Sequence, residues 1–257
     1  MHWRILLLLT FLTVVGNRAS SQVNRIAEKE LSCARLHAKI VDLHYSDPDS
    51  AAIYSDRFEK EFQRLITSKP ATFDYKFSKL VDSNFCFIRM SPDKNLKIYS
   101  WDTWLGGTMH EFRTIYQWRH NGVIYSENRP VNGDIGSYCS GIYNVTTGGK
   151  SYYLVITNAI FSNKDHSQTI TAYTINGNKL EDKAPIFHTN GNALSAISIN
   201  FDFSSVADRP ERPLQLIVYN ESSRTLYIPF VGKSDQLTPR KFIYQLTEKG
   251  FEYTGMR

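Results

Sequence analysis

The chain is expected to be a mainly β protein with a small N-terminal α-helical hairpin, and three observations carry that expectation. From Asn84 onward the sequence breaks into short runs rich in Phe, Tyr, Ile, Val and Thr, punctuated by Gly, Asn and Asp, the texture of antiparallel strands. Between residues 23 and 68, apolar side chains instead recur at helical spacing. Turn dipeptides such as Asn176-Gly177 mark tight hairpins within the strand-rich part. With 42% hydrophobic and 13% aromatic residues over 257 positions, enough apolar surface exists for a real core. Disorder is thereby excluded for most of the length.

The first element is a targeting segment. His2 and Arg4 give a positive start, Ile5 to Val15 is an apolar run, and Ala19-Ser20-Ser21 supplies small residues for cleavage, so residues 1–21 read as a signal peptide. Cleavage after Ser21 leaves Gln22 as the new terminus and a secreted or periplasmic protein. The rival is an uncleaved anchor, but the run is shorter than the ~20 residues that span a bilayer. No cysteine stands at the cleavage region, which argues against a bacterial lipoprotein. Loss of the leader removes Arg4 and Arg18 and no acid, lowering the net charge from +5 to +3 (28 basic against 25 acidic residues). That balance, without a basic cluster, does not indicate nucleic acid. Cys33, Cys86 and Cys139 are too few for a disulfide scaffold, and their spacing does not fix a pairing.

Residues 22–70 form the helical hairpin. Ala27, Leu31, Ala34, Ala38, Val41 and Tyr45 recur at alternating spacings of four and three, the stripe of a helix laid on a core. In SDPDS, Asp47 suits an N-cap and Pro48 the first helical position of a second helix, whose buried face is Ala51, Tyr54, Phe58, Phe62 and Leu65. Lys69-Pro70 closes it. Residues 71–83 are a connector, and residues 84–257 an antiparallel β domain.

Candidate strands in that domain are 85–90, 96–103, 108–119, 123–127, 136–145, 151–158, 168–175, 184–189, 193–203, 214–220, 224–231, 240–247 and 250–254. TTGGK and NESSR read as longer connections. YQWRHNGVIY at 116–125 lines up without a gap on YQLTEKGFEY at 244–253, and YTINGNKL at 173–180 is a shorter cousin. Hairpin chemistry alone also favours a glycine between alternating apolar residues.

Ser91 to Thr103, SPDKNLKIYSWDT, with its Ser-Pro-Asp turn and its Trp101-Asp102 end, resembles the hairpin of a WD-repeat β-propeller blade. The resemblance implies propeller-like blades. Trp-Asp occurs once, however, Gly-His never, and the internal echo lies 128 residues away rather than ~40 to 45. Thirteen candidate strands make only three four-stranded blades, below the usual four. An antiparallel meander folded as an open curved sheet or a sandwich accounts for them equally well.

Several segments invite chemistry. Gly149-Lys150-Ser151 matches the end of a phosphate-binding loop, but Asn144 stands where its first glycine belongs and a strand follows instead of a helix, so a hairpin turn is expected. Asn144-Val145-Thr146 and Asn220-Glu221-Ser222 are glycosylation sequons. Cys33, His37 and His44 fall on one side of the first helix, without the further ligand and imidazole partners that zinc requires, so no metal and no cofactor is expected. Gly136 to Gly141 does not satisfy the nucleophile elbow, and Cys139 has no recognisable base. Among the acids Asp102, Glu111, Glu127 and Asp134, a pair ~5 to 10 Å apart would suit glycoside hydrolysis, although charged residues are mostly solvated.

Aromatic residues concentrate between positions 99 and 125: Tyr99, Trp101, Trp104, Tyr116, Trp118 and Tyr125. Such rings usually fill a core. The functional alternative is a platform of exposed rings, with Trp104, in a turn, its best member. The sequence therefore points to a noncatalytic binding or envelope-associated module that contacts glycan or protein through Tyr99, Trp101, Trp104 and His110. Its alternative is a hydrolase of an extracellular polymer using Asp102 and Glu111.

Overall fold

The computed structural model describes residues 3–129 and 133–257, with residues 3–20 described by backbone alone. His2 and the side chains of the Ile5 to Val15 run lie outside the described residues. Strand outweighs helix, 44% against 25%, so the protein is mainly β with a helical pair at its N-terminus. Two compact units divide the chain, residues 1–85 and 86–257.

In the first unit α1 (Trp3–Leu43) packs on α2 (Pro48–Ser68), and a 3-10 turn at Pro70–Thr72 leads to α3 (Ser78–Asp82). The bond from Ser50 N to Asp47 Oδ1, 3.2 Å, starts α2 at the expected cap, with Pro48 at its first turn. Its buried face carries Ala51, Ser55, Phe58, Phe62, Leu65 and Ile66, while Tyr54 is only partly buried. The buried stripe of α1 differs from the expected one: it is Ile26, Glu30, Cys33, His37 and Ile40, whereas Leu31 and Tyr45 are 37% and 84% exposed. The spacing was right but the stripe sits one residue earlier, a rotation of about 100°. Two of its positions are polar, and each is housed by its neighbours. Glu30 accepts from Tyr75 Oη (2.7 Å) and from the backbone N–H of Lys79 (2.7 Å) and Leu80 (3.3 Å), satisfying the first donors of α3. His37 stacks on Phe85 and meets the edge of Phe58. Among the described residues no helix is long and apolar enough to cross a membrane.

The second unit comprises three open sheets. The first is a meander of β1 (Cys86–Met90), β2 (Leu96–Asp102), β3 (Phe112–His120) and β4 (Val123–Asn128) in that order. The middle one contains β5 (Tyr138–Thr147), β6 (Lys150–Ile160) and β7 (Asp165–Asn176), with β8 (Lys179–Glu181) returning along β7. β9 (Phe187–Thr189) and β10 (Asn192–Leu194) belong to the last sheet, and β11 (Ala196–Asp202) rejoins β7. β12 (Val218–Asn220), β13 (Thr225–Val231), β14 (Leu237–Thr247) and β15 (Gly250–Met256) complete the last sheet, in the order β10-β9-β15-β14-β13-β12. All ladders are antiparallel except β15 with β9, which is parallel.

Strand alternation explains the stacking. On β6 and β7, Leu154 opposite Ala172 and Ile156 opposite Ile170 join the core shared with Tyr219, Leu226, Ile228, Tyr244 and Phe251 of the last sheet. Tyr153 opposite Tyr173, with Val155, joins the core shared with Leu96, Ile98, Tyr116 and Trp118 of the first. The middle sheet is therefore buried on both faces, and the three sheets pack face to face without closing.

Two departures from the expected strands have local causes. Leu214, Leu216 and Ile217 are buried, yet the stretch is not a strand, because the fully buried Gln168 on β7 binds it edge-on. Its Oε1 accepts from the N–H of Leu216 (3.2 Å) and Ile217 (2.6 Å), and its Nε2 donates to Leu214 O (2.9 Å) and Asn158 Oδ1 (2.7 Å). TTGGK is a two-residue turn, with positive φ at both Gly148 and Gly149 as a hairpin of matching twist requires. The echoing hairpins also prove offset. Asn121-Gly122 is the turn of the first, whereas Glu248-Lys249 is the turn of the second and Gly250 already belongs to β15. Tyr125 consequently faces Trp118, while Tyr253 faces Tyr244 and not Leu246.

Strand direction sorts the connections. The turns β1–β2, β3–β4, β5–β6, β7–β8, β12–β13 and β14–β15 gather at one end of the stack. The β2–β3 and β6–β7 loops lie together at the other.

Candidate functional site

The SPDKNLKIYSWDT hairpin has one foot at each end. At the turn end, Ser91 Oγ donates to Asp93 Oδ1 (2.6 Å) and accepts from Leu96 N (2.9 Å), and Asp93 Oδ2 accepts from Tyr153 Oη (2.9 Å), which fastens the first sheet to the middle one. At the loop end, β2 finishes at Asp102 and the chain does not return as a strand until Phe112, so the expected strand start at residue 108 moves by four residues.

The Thr103 to Glu111 loop is built by short-range bonds. Thr103 N donates to Glu111 O (2.8 Å) at its base, Trp104 N to Asp102 Oδ1 (2.9 Å), and Met109 N to Gly106 O (3.2 Å). The Asp102 carboxylate thus shapes the backbone two residues on and holds Trp104 at φ 60. Gly106 is obligatory: a Cβ there would stand 1.9 Å from Met109 O. The other Asp102 oxygen pairs with His110 Nδ1, and His110 N donates to Ile160 O (3.0 Å), which joins the loop to the β6–β7 turn. His110 meets Trp104 edge-on at 5.9 Å between ring centroids and lies parallel to Phe112 at 6.2 Å. The hydrogen bond to Asp102 holds the His110 pKa above its ordinary value, against the opposing effect of burial. On the adjoining strand, burial holds His166 below its ordinary value.

Of the four residues expected to form an aromatic platform, two reach the surface. Trp104 and His110 are partly exposed, whereas Tyr99 (0% exposed) and Trp101 (1%) are core side chains. Tyr99 Oη donates to Gln117 Oε1 within that interior. Two other members stand outside the four expected residues. Leu105 is 43% exposed and Phe161, following Ile160 in the β6–β7 turn, is 45% exposed. Among the described residues only eight large apolar side chains are so exposed; Leu105 lies in the loop of His110, and Phe161 follows Ile160, whose carbonyl accepts from His110 N. A phenylalanine within the polar turn Phe161-Ser162-Asn163-Lys164 was the one available signal for the second.

The carboxyl groups serve different neighbours. Asp102, 8% exposed, is directed at His110 and the Trp104 amide, while Glu111 pairs with Arg113 at 3.3 Å. Glu127 pairs with Arg129 at 2.9 Å, and Asp134 is exposed. Asp102 behind His110 reproduces the orienting half of a base dyad. Among the described residues no hydroxyl or thiol is hydrogen-bonded to the His110 ring. Burial pushes the thiols of Cys33 and Cys139 up to about 12, far from the thiolate a nucleophile needs. Among the described residues no group of three His, Cys, Asp or Glu side chains is placed to hold a metal ion. Gly148 and Gly149 are the two-residue turn, with Lys150 and Ser151 already in β6.

No protein-family model, no curated protein and no solved structure matches the chain. Its architecture and the loop-end surface define it: a helical N-terminal unit preceding a stack of three open β sheets.

Proposed function

We propose that the chain is an exported, noncatalytic binding protein, released by cleavage after Ser21, that holds a protein or glycan partner on the loop-end surface of its β unit. The observation that carries this reading is the pair of exposed apolar side chains on two joined loops: Leu105 in the loop of Trp104 and His110, and Phe161 next to Ile160, whose carbonyl accepts from His110 N. Exposed apolar side chains gathered on one surface mark an interaction site. The two loops are braced by Asp102, Gly106 and the His110 to Ile160 bond, so little ordering remains to be done on binding. Hydrolysis by Asp102 and Glu111 is less well supported, because each carboxylate is directed at a different cation or donor.

A photo-crosslinking residue introduced at position 105 or 161 in the producing cell tests the proposal. Adducts to a discrete macromolecule at both positions, and none at the exposed position 194 at the far edge of the last sheet, are expected. No adduct at 105 and 161 would sink it. Polymer cleavage that is lost in Asp102→Asn or Glu111→Gln would replace it with the hydrolase. Terminal sequencing of the exported protein is expected to begin at Gln22.

A further inference from the structure

At the opposite, turn end of the stack, a depression of about 850 Å³ lies between the ends of β6 and β7 and the strap Glu181–Pro185, beside Tyr152 on the face of the middle sheet turned toward the last sheet. It forms a trough open to solvent. We propose that this trough is a binding site for an acidic oligosaccharide.

Three features of the lining select that class. The first is charge: Lys150 and Lys183 line the trough against Glu181 and Asp182. Asp182 is already neutralised by Arg129, 2.6 Å away, whereas Lys150 and Lys183 have no ion-pair partner among the described residues. A local excess of positive charge remains and attracts anions. The second is the floor, where the partly buried Tyr152 ring offers an apolar surface to the C–H face of a sugar. The third is the neutral rim: Ser151, Thr174 and Asn176 supply donors and acceptors suited to hydroxyl groups. A nucleic acid would instead need a longer basic stripe for its phosphates, and those phosphates would be repelled by the Glu181 carboxylate. The sequon residue Asn144 stands apart from the trough, its Oδ1 accepting from Asp93 N at 3.4 Å.

Calorimetric titration of the full chain tests the site with four probes of similar length: a tetragalacturonate, a sulfated tetrasaccharide, the neutral maltotetraose and a DNA tetranucleotide. Binding of either acidic sugar, weakened as salt rises from 50 to 500 mM, is expected, with the better probe naming carboxylate or sulfate as the source of charge. Lys150→Ala with Lys183→Ala is expected to weaken it about five- to tenfold. Both lysines are exposed, so the double variant keeps its fold, which circular dichroism verifies. Leu105→Ser with Phe161→Ser, at the other end of the stack, leaves this binding unchanged, so failure of the loop-end reading and failure of the trough are separable. Binding of neither acidic sugar, equal binding of maltotetraose, equal or tighter binding of DNA, or undiminished binding by the lysine variant overturns the proposal.

Discussion

Asp102→Asn separates two roles of one carboxylate. The amide keeps an oxygen for the Trp104 N–H, 2.9 Å away, so the loop backbone retains its brace, but the negative charge facing His110 is gone. A hydrogen bond to a charged group contributes ~1.5 to 3 kcal/mol, and with the His110 side chain 29% and the Asp102 side chain 11% exposed the lower end applies, ~1.5 kcal/mol. The pH at which that loss is seen follows from linkage. His110 has a folded pKa raised above its ordinary 6.5, so its stabilisation is fully present below 6.5 and is lost as pH rises through the folded value. Asp102→Asn should therefore cost about 1.5 kcal/mol at pH 5.5 and about half of that or less at pH 8.5, where a neutral imidazole is the donor. His166, held below its ordinary value, acts in the opposite sense, contributing above 6.5 and losing that contribution as pH falls. Both proteins carry it, so it cancels in the comparison. Guanidinium unfolding at the two pH values measures the difference, and the His110 ring proton resonances follow its titration directly. Equal costs at the two pH values, or a His110 that titrates identically in both proteins, would refute the dyad as drawn.

Three further outcomes rest on single side chains. Glu30→Ala strands the Lys79 and Leu80 N–H groups and the Tyr75 hydroxyl and should destabilise the helical unit by about 2 to 4 kcal/mol in thermal or denaturant unfolding, with Glu30→Gln less severe. Gln168→Leu removes three buried hydrogen bonds between β7 and the Leu214–Ile217 stretch and a fourth to Asn158 on β6, and should cost about 3 kcal/mol or more, with faster hydrogen exchange at the amides of 216 and 217. The thiols of Cys33 and Cys139, buried and raised to about 12, should resist alkylation at pH 8 until the chain is unfolded, and mass spectrometry of the labelled peptides checks this.

Texture and turns carried most of the fold because they are local. The β-branched and aromatic run YYLVIT and the Gly148-Gly149 turn require only neighbours in sequence to be read as a hairpin. What escaped was long-range. The α1 stripe was placed one residue late because Glu30 and His37 are polar by type, and only Tyr75, α3 and Phe85, far along the chain, make their burial tolerable. Leu214–Ile217 reads as a strand until Gln168, some 46 residues earlier, takes its hydrogen bonds. The echo between residues 116–125 and 244–253 is real in letters but shifts its turn by one residue, since Gly250 serves the strand rather than the bend. Of the candidate surface, Trp104 and His110 were legible from their place in a Gly-rich turn. Leu105 was not, because nothing local distinguishes its exposed side chain from a buried one, and Phe161 showed only as an apolar residue in a polar turn.

The middle sheet has two apolar faces, and synthesis from the N-terminus supplies their covers at different times. When β7 is complete, the first sheet already exists to receive Tyr153, Val155 and Tyr173. The strands that cover Leu154, Ile156, Ile170 and Ala172 have yet to be made. A chain that stops before residue 218 therefore presents a flat, half-finished sandwich to its surroundings, with the hazards of uncovered β surface. Nonsense variants that end the chain between β7 and residue 218 should accumulate as insoluble protein rather than as a smaller folded form, so the last sheet is what keeps the middle one in solution.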